Sequence, residues 1–220
     1  MELATKYFGL KKSTLFLIII CSHVLIALFS RIILIDELVF YNTYSEQLTY
    51  ERAMALFANA KRLAWIGYVF IPLVLLIKFT LISTVIYIGL FFFENSNLIS
   101  FGKIFGAVIA CEVVFIIAGF VKLFWFYFFA GNYDLNEMSF FYPLSLSNFF
   151  DFTEINKIWI FPLQTMNLFQ IAYIILLSLG LQLRSGISRA IAEKSVLVSY
   201  LPGLLLVISL VMFLTIGKAV

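Results

Sequence analysis

The sequence predicts an all-α fold: a polytopic membrane protein with five transmembrane helices in one bundle and an amphipathic helix between the first and second spans. Three observations predict it. The chain is 63% hydrophobic and only 12% charged, with a mean hydropathy of +1.06, whereas soluble domains sit near 45–50% apolar and about 25% charged. With 26 Phe residues among 220, too little polar surface remains to cover a globule, so the solvent is lipid. Finally, the apolar residues fall into long runs that reach or exceed the roughly 20 residues a bilayer crossing needs, separated by polar segments.

The first run, residues 14–35, follows Lys6, Lys11 and Lys12, the look of a signal-peptide n-region. No A-x-A-like site follows, and Ile18-Ile19-Ile20 precedes Cys21 in place of a lipobox. An uncleaved first span is expected. Residues 36–62 are polar, and Thr43-Tyr44-Ser45-Glu46 fits a capping box, which satisfies free N–H groups at a helix start. Beyond it Tyr50, Ala53, Met54, Phe57 and Ala58 recur at helical spacing. An interfacial amphipathic helix is therefore expected to lead into the second span.

That second span covers about 63–93, long enough to tilt or project, with Pro72 placed to kink it and Lys78 near its middle. A turn over Glu94-Asn95-Ser96-Asn97 leads to the third span, about 101–130. A far-side segment to Lys157 follows, in which Asp151-Phe152-Thr153-Glu154 again reads as a cap. The fourth span is expected at about 158–183. A loop carrying Arg184, Arg189 and Lys194 precedes the fifth, about 195–217. No convincing internal repeat appears, so the whole chain reads as a single membrane domain, and an inverted-repeat transporter is disfavoured.

Counting Lys and Arg with the N-terminus inside gives Lys6, Lys11, Lys12, Lys103, Arg184, Arg189 and Lys194 on the inner side. Arg52, Lys61, Arg62, Lys157 and Lys218 fall on the outer side. The excess inside predicts a cytoplasmic N-terminus and an extracytoplasmic C-terminus. Net charge is +3, spread along the chain, so no basic stripe points to nucleic acid. The two cysteines, Cys21 and Cys111, lie in apolar runs and read as small buried hydrophobes. Neither they nor the single His23 makes a metal site. No cofactor motif is present, and H-E-x-x-H, G-x-S-x-G, a P-loop and paired acids within a span are all missing. A non-enzymatic protein is expected.

Charges inside spans are the sharpest local signal. Lys78 lies 15 residues before Phe93, and Glu112 lies 11 after Phe101. At 1.5 Å per residue these are about 22 and 16 Å from the inner turn, so the two can meet. A charge at mid-bilayer costs at least ~2.5–3.5 kcal/mol, which makes pairing or local water necessary. Two readings stay open: a buried pair that fixes helix register, or part of a proton or ion pathway. Lys122, beside the aromatic run 124–129, reads as an interface anchor.

On the first span His23, Ala27 and Arg31 share one flank; Arg31 reads as snorkelling at the outer end, and His23 as a helix-contact residue or a candidate for polar lining. On the fourth, Gln164, Asn167 and Gln170 form a polar streak suited to interhelical hydrogen bonds or to lining a substrate path. Gly102, Gly106 and Ala110 make a small-xxx-small stripe for close helix packing.

The stretch 167–181, NLFQIAYIILLSLGL, runs into the short basic loop Arg184-Ser185-Gly186-Ile187-Ser188-Arg189 and a last helix. Over residues 145–215 this resembles the Yip-domain family of five-span Ypt/Rab-interacting membrane proteins, in particular its bacterial branch. The resemblance implies a scaffold that works by helix–helix assembly with membrane partners or with itself, in a bacterial inner membrane. The family's acidic D-L-Y-G-P phrase is absent and only about 13 residues precede the first span, which speaks against a small GTPase as partner. The alternative expectation is a small permease or channel subunit using Lys78, Glu112 and the fourth-span streak. An accessory subunit of a membrane enzyme ranks third.

Overall fold

A computed structural model describes residue 7, residues 9–93 and residues 99–217. No strand occurs among the described residues, and five helices are long and apolar enough to cross a membrane. The chain is an all-α polytopic bundle. The turn expected over residues 94–97 lies outside the described residues.

The first span is α1 (Lys12–Phe29), continued by a π-helical turn, Ser30–Leu34. Asp36 then starts α2 (Glu37–Tyr44), its carboxylate accepting from the Val39 N–H at 2.8 Å. This cap displaces the one expected at Thr43. An acid upstream of free N–H groups starts the helix early, and Thr43 ends up inside its last turn. There its hydroxyl donates to the Val39 carbonyl and accepts from the Leu135 N–H.

The amphipathic segment is not a separate helix. Its residues are the opening turns of α3 (Tyr50–Phe93), which runs unbroken through Pro72 for 44 residues. That is about 66 Å of helix, twice the roughly 30 Å of hydrocarbon, so α3 projects on the far side. Ala53 is buried and Met54 and Phe57 half-buried, while Tyr50 and Ala58 are exposed, a narrower face than the spacing predicts. α2 lies against it, with Phe40 on Phe57 and Tyr41 on Tyr50, each pair 5.3 Å between ring centroids.

The third span is the central post. In its most apolar stretch 61% of residues are buried, against 11 to 22% in the other four. It consists of α4 (Phe101–Cys111) and α5 (Val113–Phe128), which meet at Glu112. α4 packs mainly on the second and fourth spans, while α5 packs on the first and the fourth.

Beyond α5, Asp134 and Glu137 form the reciprocal capping box of α6 (Leu135–Phe140). The box expected at Asp151 is instead a local turn. Asp151 accepts from the Thr153 N–H and hydroxyl, at 2.9 and 2.7 Å, and no helix follows. The next helix, α7 (Lys157–Thr165), is capped by Asn156.

The expected fourth span is broken at Met166–Asn167, and only α8 (Leu168–Ser185) is long enough to cross. The reason lies in Asn167. Its side-chain oxygen caps the Gln170 N–H, and its amide donates to the carbonyls of Gln164 and Thr165. One Asn thus closes α7 and opens α8, and an Asn bonding nearby backbone competes with helix continuation. Leu144 and Leu146 replace the lost backbone bonds by pairing with Leu168 and Met166.

Phe115 and Tyr173 touch at 4.9 Å between centroids, so they stand level. Asn167 is then about 9 Å above them and Phe128 about 20 Å. α8 therefore begins roughly 10 Å below the top of α5, and α7 with the 144–149 segment occupies the gap.

The fifth span starts earlier than expected, as α9 (Arg189–Ser195), a π-turn at Val196–Tyr200 and α10 (Leu201–Ile216). Gly186, at φ +75°, closes α8 in the left-handed conformation that favours glycine. Ser188 caps the Ile191 N–H, and Arg189 pairs with Glu193 at 2.7 Å. The expected basic loop is thereby reduced to residues 186–188. Arg184 stands on α8 and Arg189 and Lys194 on α9.

Candidate functional site

Glu112 sits where the third span changes register. Its N–H donates to the Ile109 carbonyl three residues back, and its own carbonyl accepts from both Phe115 and Ile116. Such a tightened turn inside a helix turns the side chain off the run of its neighbours. The side chain is 1% exposed. Its two oxygens accept from the Lys78 ammonium of α3 at 2.7 and 2.9 Å. Lys78 Nζ also lies 4.3 Å from the centre of the Phe115 ring, a cation–π contact one turn up from the carboxylate. The charges placed at matching height by residue counting do meet.

His23 completes the group. Its Nε2 stands 3.5 Å from Glu112 Oε1, and its Nδ1 lies 3.0 Å from the Ile19 carbonyl. A carbonyl only accepts, so Nδ1 carries the hydrogen and Nε2 turns to the carboxylate. The site thus brings together a carboxylate, an ammonium and an imidazole from three spans. Lys78 is 36% exposed and His23 25%, so both reach the bundle's outer surface while the carboxylate does not.

Behind Phe115 an aromatic chain crosses the bundle. Tyr173 of α8 packs on it and on Tyr200 of the fifth span, 5.5 Å away. The Tyr173 hydroxyl is buried and has no hydrogen-bond partner among the described residues. Tyr142, in the link between α6 and α7, is half-buried. Burial, with the Glu112 charge adding to it, pushes its phenol up to about 12.

The expected fourth-span streak is dispersed. Gln164 on α7 donates to the carbonyls of Ser139 and Phe140, Asn167 is spent on the helix break, and Gln170 donates to the Tyr200 hydroxyl at 2.7 Å. These amides tie the far-side segment to the bundle and do not share one surface.

The glycine stripe also takes another role. A Cβ on Gly102 would lie 2.7 Å from Lys12 Nζ, and one on Gly106 would lie 2.5 Å from Arg184 Nη1. Both glycines make room for basic side chains, not for a neighbouring backbone. Ala110 is fully buried, and its carbonyl accepts from the Tyr7 hydroxyl. The tight helix contacts lie elsewhere: a Cβ on Gly89 would stand 2.5 Å from Ser199 Cβ, and one on Gly119 would stand 2.9 Å from Ile26. Isolated glycines carry no stripe to find them by.

Cys111 is buried as expected, but Cys21 is exposed on the surface of α1. Among the described residues no three His, Cys, Asp or Glu side chains gather closely enough to hold a metal ion. The chain matches no family model, no curated protein and no solved structure.

Proposed function

We propose that this is a non-enzymatic membrane scaffold that acts by assembling with other membrane proteins, its N-terminus cytoplasmic and its C-terminus outside. One observation carries the reading. The intramembrane carboxylate is 1% exposed and both its oxygens are taken by Lys78. Neither Glu112 nor Lys78 lines the cavities around Lys12, Arg31, Tyr133 or Ser178 among the described residues. A charge held dry by its own counter-ion fixes helix register and offers nothing for a solute to bind. The resemblance of residues 145–215 to Yip-domain proteins agrees with it, as does the long outward face of α3, where Trp65, Val69 and Leu73 share one flank and are each about half to two-thirds exposed.

Site-specific photo-crosslinking at positions 65, 69 and 73 in native membranes tests the proposal. A scaffold gives a discrete protein adduct at neighbouring positions, retained when Lys78 and Glu112 are replaced together by Met and Gln. Lipid adducts alone at every position would sink it.

A second reading, a small permease or channel subunit, draws on the 3.5 Å approach of His23 and on the partial exposure of both flanking bases. It predicts proton or ion flux in proteoliposomes that Glu112→Gln abolishes while the protein stays folded.

A further inference from the structure

We propose that the end of the bundle bearing the N-terminus contains a binding site for a phosphate group, the headgroup phosphate of an anionic lipid or a soluble phosphate. Three spans contribute to it. Lys12 at the start of α1, Lys103 in the first turn of α4 and Arg184 in the last turn of α8 converge on a cavity of about 390 Å³, together with Ser100 and Gly102. Three cations from separate helices would repel one another, and no described carboxylate lies within ion-pair range of any of them.

The cavity is built and not incidental. Gly102 and Gly106 clear the face of α4 so that the Lys12 ammonium and the Arg184 guanidinium lie against it, as the short Cβ approaches show. Arg184 is held in place by a bond from Nη2 to the Leu10 carbonyl at 2.9 Å. Its Nε is buried without a hydrogen-bond partner among the described residues. A buried, unpaired guanidinium N–H is costly unless an acceptor arrives. The planar fork suits two oxygens of a phosphate, and the lysines add point charge.

The opening of α4 points the same way. Ser100 makes no side-chain cap, so the first N–H groups of α4 are free of one, at the positive end of its dipole. The height fits as well: all three basic residues lie in the terminal turns of their spans, where a bilayer crossed by these helices would set its headgroups, and basic pockets between spans suit such groups. None of this depends on the role of the Lys78–Glu112 pair.

The test measures thermal stability and lipid retention of the full chain in vesicles. Phosphatidylcholine alone is compared with phosphatidylcholine plus phosphatidylglycerol, and, in detergent, inorganic phosphate with chloride at equal ionic strength. The expected result is that phosphatidylglycerol stabilises the wild type and is retained on purification. Lys103→Gln should cut that affinity about fivefold, the effect of one near-surface cation. Lys61→Gln, at the opposite end, should leave it unchanged.

Gly102→Ala provides a second route should Lys103→Gln not fold. Its methyl displaces only the mobile tip of Lys12 and should weaken binding with little loss of basal stability. Protection by phosphatidylglycerol and not by inorganic phosphate assigns the site to lipid, and the reverse assigns it to a soluble phosphate. Protection by neither, or protection indifferent to both substitutions, overturns the proposal.

Discussion

Removing one partner of the intramembrane pair should reveal which charge depends more on the other. Glu112→Gln leaves the Lys78 ammonium with a neutral amide. Since Lys78 is 36% exposed, its head can move toward the bundle surface. A mid-span charge costs ~2.5–3.5 kcal/mol, and the amide oxygen still accepts one bond worth ~1 kcal/mol, so the expected loss is about 2 kcal/mol. Lys78→Met is harsher. It strands a carboxylate that is 1% exposed, with His23 the one other ion-pair partner among the described residues, and breaking a buried pair in this way costs ~3–5 kcal/mol.

The double variant, Lys78→Met with Glu112→Gln, removes both charges and should lose about 1 kcal/mol, ~4–6 kcal/mol less than the sum of the two singles. Reversible unfolding in mixed detergent micelles reads all four proteins. Additive losses, each below about 0.5 kcal/mol, would show that the pair does not hold the register. An ordering in which Glu112→Gln is the worse of the two would refute the burial asymmetry.

Three further outcomes are expected. The Tyr142 phenol, raised to about 12 by burial and then by Glu112, stabilises the fold fully below its unfolded value near 10. That contribution is lost as pH rises from there through about 12, so Tyr142→Phe should flatten part of the alkaline fall in stability. Phenolate absorbance of the folded protein should show one fewer late-titrating group, and a Tyr142 that ionises near 10 would contradict its burial. Asn167→Ala should cost about 1–2 kcal/mol in thermal unfolding, because one side chain both caps α8 and holds two carbonyls of α7. No measurable change would mean that the break is set elsewhere. Gly89→Ala should destabilise by ~1–3 kcal/mol through its 2.5 Å approach to Ser199, with recovery in Ser199→Gly. Gly67→Ala, which meets nothing within 4 Å, should be neutral or stabilising by ~0.5–1 kcal/mol.

The spans were legible because lipid leaves little choice. An apolar run of bilayer length must satisfy its backbone internally, so a helix follows from composition and length alone. The pair was legible for a related reason: helical rise converts residue counts into heights, and a mid-bilayer charge needs a partner at its own height. Reading failed where several local signals compete for one helix end. Asp36 outbid Thr43, Asp134 formed the box that Asp151 did not, and Asn167 cut a run whose hydropathy is continuous. Hydropathy registers none of these choices, since they rest on single hydrogen bonds.

The sequence by itself determined that the chain is an all-α membrane bundle of five spans with one carboxylate and one ammonium at matching depth, because burial energy in lipid dominates every alternative. Only the tertiary structure decided that Gly102 and Gly106 shelter cations, that the fourth span is split, and that the third span stands at the centre. Those outcomes depend on which faces meet. Helix faces in lipid are selected by close packing and a few polar contacts, whose small energies a linear pattern does not encode.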